Sequence, residues 1–108
     1  VKHQATAGQL GEAAALVTLA RVYLKTERQQ KALENAELAS EMLRKLAKES
    51  EEAVAQHALL DVNLAAKKYS QALQAADRIC DVFHAKSDQL GEGVGKLLSA
   101  EVHLAGED

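Results

Sequence analysis

A chain of 108 residues with a formal charge of −3, no proline and only Tyr23, Tyr69 and Phe83 as aromatics is the size of one modest domain. It offers no basic footprint for nucleic acid and no basic amphipathic face for a membrane surface. Its one cysteine, Cys80, excludes an internal disulfide framework and a cysteine-based zinc site, and no apolar run approaches the length of a membrane span.

Ala, Leu, Glu, Lys and Gln dominate, which predicts an all-α chain with a core of small aliphatic side chains. In the first helix, expected near residues 9–25, Leu16, Leu19, Ala20, Tyr23 and Leu24 fall on one stripe of helical spacing. A second, over 29–48, carries Ala32, Leu33, Ala36, Ala39, Leu43 and Leu46 on a similar face. Three more follow near 51–66, 69–86 and 89–105. The breaks are short and polar: Thr26-Glu27-Arg28, Glu49-Ser50, Lys67-Lys68 and Ser87-Asp88. Ser50, and Ser87 or Asp88, are expected to cap the helices that follow them. Such short connections imply antiparallel neighbours.

The chain also repeats itself at forty residues. GEAAALVTLARVYLKTER at 11–28 aligns with EEAVAQHALLDVNLAAKK at 51–68 and GEGVGKLLSAEVHLAGED at 91–108. Glu12, Glu52 and Glu92 share a column; so do Val22, Val62 and Val102, and Leu24, Leu64 and Leu104. Arg21, Asp61 and Glu101 form a charged column. QQKALENAELASEMLRKLAK at 29–48 lies over YSQALQAADRICDVFHAKSD at 69–88. The organisation read from this is the end of one repeat at 1–8, complete repeats at 9–48 and 49–88, and the first half of another at 89–108. A chain beginning VKHQATAG, without an initiator methionine, looks processed or cut from something longer.

The repeat also decides how GEGVGKLL at 91–98 is read. A phosphate-binding loop needs four residues between its first glycine and a Gly-Lys pair, followed by Ser or Thr. Here three residues intervene and Leu97 follows Lys96. The segment instead occupies the place of GEAAALVT, so it reads as a helix with unusually small side chains. Each glycine there costs about 1 kcal/mol relative to Ala.

With Leu16, Leu19, Ala20 and Tyr23 on the first helix and Ala32, Ala36 and Ala39 on the second, the chain resembles the tetratricopeptide repeat family. The second repeat resembles it through Leu59, Leu60, Tyr69, Ala72, Ala76 and Ile79, most closely in KKYSQALQAA at 67–76. The period is forty rather than the commoner thirty-four. This is similar to the long-helix variety found in cell-polarity adaptors, as is Asp88-Gln89-Leu90-Gly91-Glu92. Asn63 and His103 stand where the family places Tyr, and its helix-ending proline is absent. The resemblance covers nearly the whole chain. It implies a right-handed α-solenoid of antiparallel helix pairs, about five helices in all.

The resemblance further implies that the first helix of each pair lines a concave groove. By register that surface receives Ala14, Val17, Arg21, Leu24 and Lys25, then Val54, His57, Asp61 and Leu64, then Val94, Leu97, Glu101 and Leu104. Val17, Leu24, His57, Leu64 and Leu97 are expected to supply contact area. Arg21, Asp61 and Glu101 are expected to set register for a peptide or amphipathic helix, with Lys25 on the same groove surface. A register off by one residue would instead make Val22, Leu24 and their equivalents core. The Lys/Asn arrangement with which some family members hold a terminal carboxylate is missing: Val17, Arg21, His57 and Asp61 take those places.

Catalytic chemistry finds little support. His3, His57, His84 and His103 do not pair at ligand spacing, so no metal site is expected. Cys80 lies beside Ile79 on a packing face, with no local base to activate it. Glu34, Glu37 and Glu41 with Lys45 and Lys48 read as solvated helix pairs. The expectation is a non-enzymatic protein-interaction scaffold without cofactor, binding a protein or peptide, with no nucleic acid and no membrane insertion. The alternative is a structural or self-associating subunit of a larger assembly that uses the repeat ends. One cysteine and no leader or apolar span fit a cytoplasmic setting.

Overall fold

The computed structural model describes residues 2–46 and 48–106, with side chains from residue 8 onward; readings that fall on Val1, the side chain of His3, Ala47, Glu107 and Asp108 lie outside this. Five helices account for nearly all of it: α1 (Lys2–Lys25), α2 (Gln29–Lys45), α3 (Glu49–Ala65), α4 (Tyr69–Ala85) and α5 (Gln89–Gly106). The described residues contain no strand. Helices α2, α3 and α4 are 17 residues each, about 25 Å at 1.5 Å per residue. From α2 onward each helix starts twenty residues after the previous one. The forty-residue repeat in sequence is therefore two equal helix-and-turn units.

The turns explain this regularity. The Arg28 amide donates to the Tyr23 carbonyl (2.8 Å) and the Glu27 amide to Leu24 (3.2 Å). Lys68 and Lys67 make the same two bonds to Asn63 and Leu64, and Asp88 and Ser87 to Phe83 and His84. This is a Schellman closure, in which the residue before the last must turn left-handed, a place usually given to glycine. Here Glu27 (φ 64°), Lys67 (φ 62°) and Ser87 (φ 57°) take it. The residue that closes one helix also opens the next: the carbonyls of Arg28, Lys48, Lys68 and Asp88 accept the first bond of the following helix.

Several expected boundaries move as a result. Helix α2 ends at Lys45 rather than 48, and α3 begins at Glu49, so Ser50 lies inside α3 and caps nothing. Its hydroxyl accepts from Lys86 Nζ instead. Ser87 occupies the left-handed turn, and Asp88 is the cap, accepting from the Gly91 amide at 3.0 Å. Helix α1 runs unbroken from Lys2, so the repeat boundary expected at residues 8 and 9 is not marked by a helix end.

Sequence neighbours pack on one another throughout, and α1 also touches α3. The molecule spans 51 × 35 × 16 Å. One core cluster joins Leu60 of α3 to Ala72, Ala75, Ala76 and Ile79 of α4 and to Leu98 and Val102 of α5. The other joins Ala13 and Val17 of α1, Ala39 and Leu43 of α2, and Ala55 and Ala58 of α3. The alanines let helix axes approach closely, and Gly95 carries this furthest. A Cβ there would lie 3.0 Å from the backbone nitrogen of Cys80 and 2.5 Å from its sulfur. Gly93, two residues earlier, has nothing within 4 Å. The small side chains of GEGVGKLL thus serve packing of α5 on α4 through Gly91 and Gly95, both buried, while Gly93 faces outward.

The repeat columns show which faces are covered. Val62 is 2% exposed and Val102 is buried, but Val22, their counterpart on α1, is 48% exposed. In the other direction Leu24 and Leu64 are half-buried, while Leu104 on α5 is 65% exposed. A residue type that is covered in the interior is open where its helix lacks a neighbour.

Candidate functional site

Two apolar recesses lie along α1, α3 and α5. The larger, about 520 Å³, is lined by Leu10, Ala14, Val17 and Thr18 of α1, Leu43 of α2, and Glu51 and Val54 of α3. The smaller, about 190 Å³, is lined by Ala53, Val54 and His57 of α3, Ile79 and Phe83 of α4, and Val94 and Leu98 of α5. Val54 belongs to both and joins them. It is 54% exposed, and Val94 is similarly open. Ala14, Val54 and Val94 are one repeat column, and all three are exposed. This column differs from those of Val62 and Leu64 because it is uncovered even in α3, which has helices on both sides.

The expected groove residues divide. His57 and Val17 line the recesses, but Val17 is buried in the core beside Leu43, so it forms the floor and supplies little contact area. Leu64 packs against the α3–α4 core, and Leu24 is half-buried; neither lines a recess. Leu97 is exposed yet lies outside both recesses. Arg21 and Asp61 form an ion pair at 3.1 Å between α1 and α3, with His57 Nε2 3.9 Å from Asp61. Their charges are thus turned on each other and tie two repeats together. Lys25 and Glu101 are exposed and make no ion pair among the described residues. Of the charge pairs expected on α2, Lys45 meets Glu41 at 3.4 Å.

On the opposite side, between α2 and α4 with α3 as its floor, lies a polar cleft lined by Glu37, Arg44, Gln56, Asn63, Gln71, Gln74 and Arg78. Two of these residues, Arg44 and Arg78, hold Glu52, a fully buried carboxylate. Arg78 clamps both oxygens at 2.9 Å, and Arg44 donates to one of them at 3.3 Å. Burial pushes the Glu52 carboxyl up, but the hydrogen bonds and charge of Arg78, with Arg44 behind it, outweigh this and hold it below its ordinary value. Its hydrogen bond to Glu52 in turn raises Arg78. Gln56 donates to Ser40 at 2.6 Å beside them. The glutamate column at 12, 52 and 92 signals this cluster in the sequence, but its arginine partners do not repeat: Arg78 corresponds to Leu38, and Arg44 to His84. Of the groups lining the cleft, Arg44 and Arg78 are thus engaged by Glu52, and Gln56 by Ser40.

Cys80 is pushed up by burial and by Asp77 and Asp81, so its thiol stays protonated at neutral pH. Among the described residues no cluster of three or more His, Cys, Asp and Glu is placed to hold a metal, and no helix is long and apolar enough to cross a membrane. The chain matches no family model, no curated protein and no solved structure.

Proposed function

We propose that this chain is a non-catalytic protein-interaction scaffold that binds a peptide or amphipathic helix along the Ala14–Val54–Val94 row. Exposed Val54 carries this reading. A half-exposed valine on the central helix, with an apolar recess on either side, is not left open by a missing neighbour. Apolar area of this kind, edged by polar groups such as Thr18, Glu51 and His57, suits the apolar face of a partner segment.

In this reading the helices form antiparallel pairs stacked as a right-handed solenoid of the tetratricopeptide repeat kind. The equal twenty-residue spacing, the identical three-residue turns and the contact of α1 with α3 support it. Resemblance to that family supports a binding role by analogy only.

The test is site-specific crosslinking from a photoreactive residue at position 54, in native extract, beside a Val54→Asp/Val94→Asp variant shown by circular dichroism to be folded. The expected result is one dominant crosslinked partner that the folded variant fails to capture. Equal capture by both proteins would refute the recess as the working surface.

A further inference from the structure

Helix α5 is apolar on two faces, and only one is covered. Gly91, Gly95, Leu98 and Val102 are buried against α4. One step around the helix, Gly93, Leu97, Ala100 and Leu104 are all exposed, Leu97 by 62%. We infer that this second face is a docking surface for a single helix built like α4, with a stripe of small residues and an arginine placed to reach Glu92.

The repeat supplies the control. Forty residues earlier the same positions on α3 are Ala53, His57, Leu60 and Leu64, and they are turned to α4. Leu60 and Leu64 belong to the α4 core cluster, and Ala53 and His57 share a recess with Ile79 and Phe83. Eighty residues earlier they are Ala13, Val17, Ala20 and Leu24 on α1; the first three are buried. Across the two helices most of these positions are covered, with His57, Leu64 and Leu24 left half-buried. On α5 the side chains are at least as apolar as on α3, and among the described residues nothing covers them. Space for the occupant is open: a Cβ on Gly93 would meet nothing within 4 Å.

Charge defines the occupant further. Glu52 is held from the preceding helix by Arg44 and from the following helix by Arg78. Glu92 is its counterpart on α5. His84, the counterpart of Arg44, already meets it from α4 at 2.9 Å. The cation from the following side is the one without a counterpart. A helix seated on α5 as α4 sits on α3 would bring a side chain from the Arg78 position to Glu92. The stripe it presents is that of Ala72, Ala75, Arg78, Ile79 and Val82, of which the four apolar members are buried in α4. The partner is thus a helix with two small residues three apart, then Arg followed by a large apolar residue, then another three further on. This surface is separate from the Val54 recess, and the two can succeed or fail independently.

The probe is a synthetic peptide with the sequence of residues 66–88 and C80S, titrated into the isotopically labelled full chain. Saturable shifts at Gly93, Leu97, Ala100 and Leu104 are expected. Binding should weaken at least tenfold with R78E in the peptide or Leu97→Asp in the protein, and should be unchanged by Val54→Asp. A second protein guards against a peptide too poorly helical to bind: the chain extended after Ala105 by a copy of residues 66–88. There, α5 amides should gain at least tenfold hydrogen-exchange protection, and Leu97→Asp should abolish the gain. Protection in the extended chain supports the surface even if the free peptide does not bind. Failure of both overturns the inference. So do shifts that map to α3, showing that the peptide displaces α4, or equal binding by the R78E peptide. Concentration-dependent dimerisation of the unmodified chain that Leu97→Asp removes would place a second copy on this face and overturn the occupant stated here.

Discussion

Helices α3 and α5 carry related residues in one register but stand in different surroundings. Helix α3 is flanked by α2 and α4; among the described residues α5 packs chiefly on α4, touching α3 only through the core around Leu60. On α3 the glutamate of the shared column is buried between two arginines, and Leu60 and Leu64 enter the core. On α5 the matching Glu92 has one histidine, and Ala100 and Leu104 face solvent. Similar side chains therefore do different work, and the difference comes from neighbours rather than from local propensity. The same holds between α3 and α1 for Val62 and Val22.

This contrast can be broken most forcefully at Glu52. Arg78→Leu should cost about 3 kcal/mol at neutral pH, because it leaves a buried carboxylate with only the weaker Arg44 contact. The folded-state pKa of Glu52 is depressed, so its stabilisation is fully present above its unfolded value, near 4.5, and is lost as pH falls through the folded value. The gap between parent and variant in urea unfolding should therefore narrow below that pH. A cost under about 1 kcal/mol, the range of exposed ion pairs, would mean that Glu52 gains nothing from its central position.

Next in size is the valine column. Val62→Ala should cost about 2 kcal/mol by removing buried methyl groups and leaving a cavity, whereas Val22→Ala should change stability by less than about 0.5 kcal/mol. Equal losses in denaturant midpoint would show that α1 is covered as α3 is. A smaller pair lies within α5. Gly95→Ala should destabilise by about 1 kcal/mol, as the clash with Cys80 exceeds the gain in helix propensity. Gly93→Ala should stabilise by up to about 1 kcal/mol, since its Cβ enters open space; thermal melts of the two variants would separate them by sign. The smallest effect is expected at the turns. Glu27→Gly and Lys67→Gly relieve a left-handed residue of its Cβ penalty but loosen the unfolded chain. A net gain of about 0.5 kcal/mol in each is the expectation, and a loss would show that the side chains contribute contacts of their own.

Much of the architecture was legible beforehand. The starts of α2, α4 and α5 at 29, 69 and 89 follow from the polar breaks before them and from the forty-residue register. The break between α2 and α3 did not, because Lys45-Leu46-Ala47-Lys48 are all good helix formers with no glycine or proline among them. The depth at which the side chains of Val17 and Leu64 lie was not legible either. Their spacing puts them on an apolar face of a first helix, but spacing alone does not say which of two adjacent faces meets the next helix and which meets a partner.

Composition, period and helical spacing were sufficient for an all-helical chain of five elements in repeated units, because those properties depend on residues close in sequence. They also placed Gly93 and Gly95 within a helix. Packing alone decided that Gly95 is pressed against Cys80 while Gly93 is free, that Glu52 is buried and Glu12 exposed, and that the open row runs through Val54 rather than Leu24. Each of these depends on which helix lies alongside, and that neighbour is brought there by contacts between segments distant in the chain.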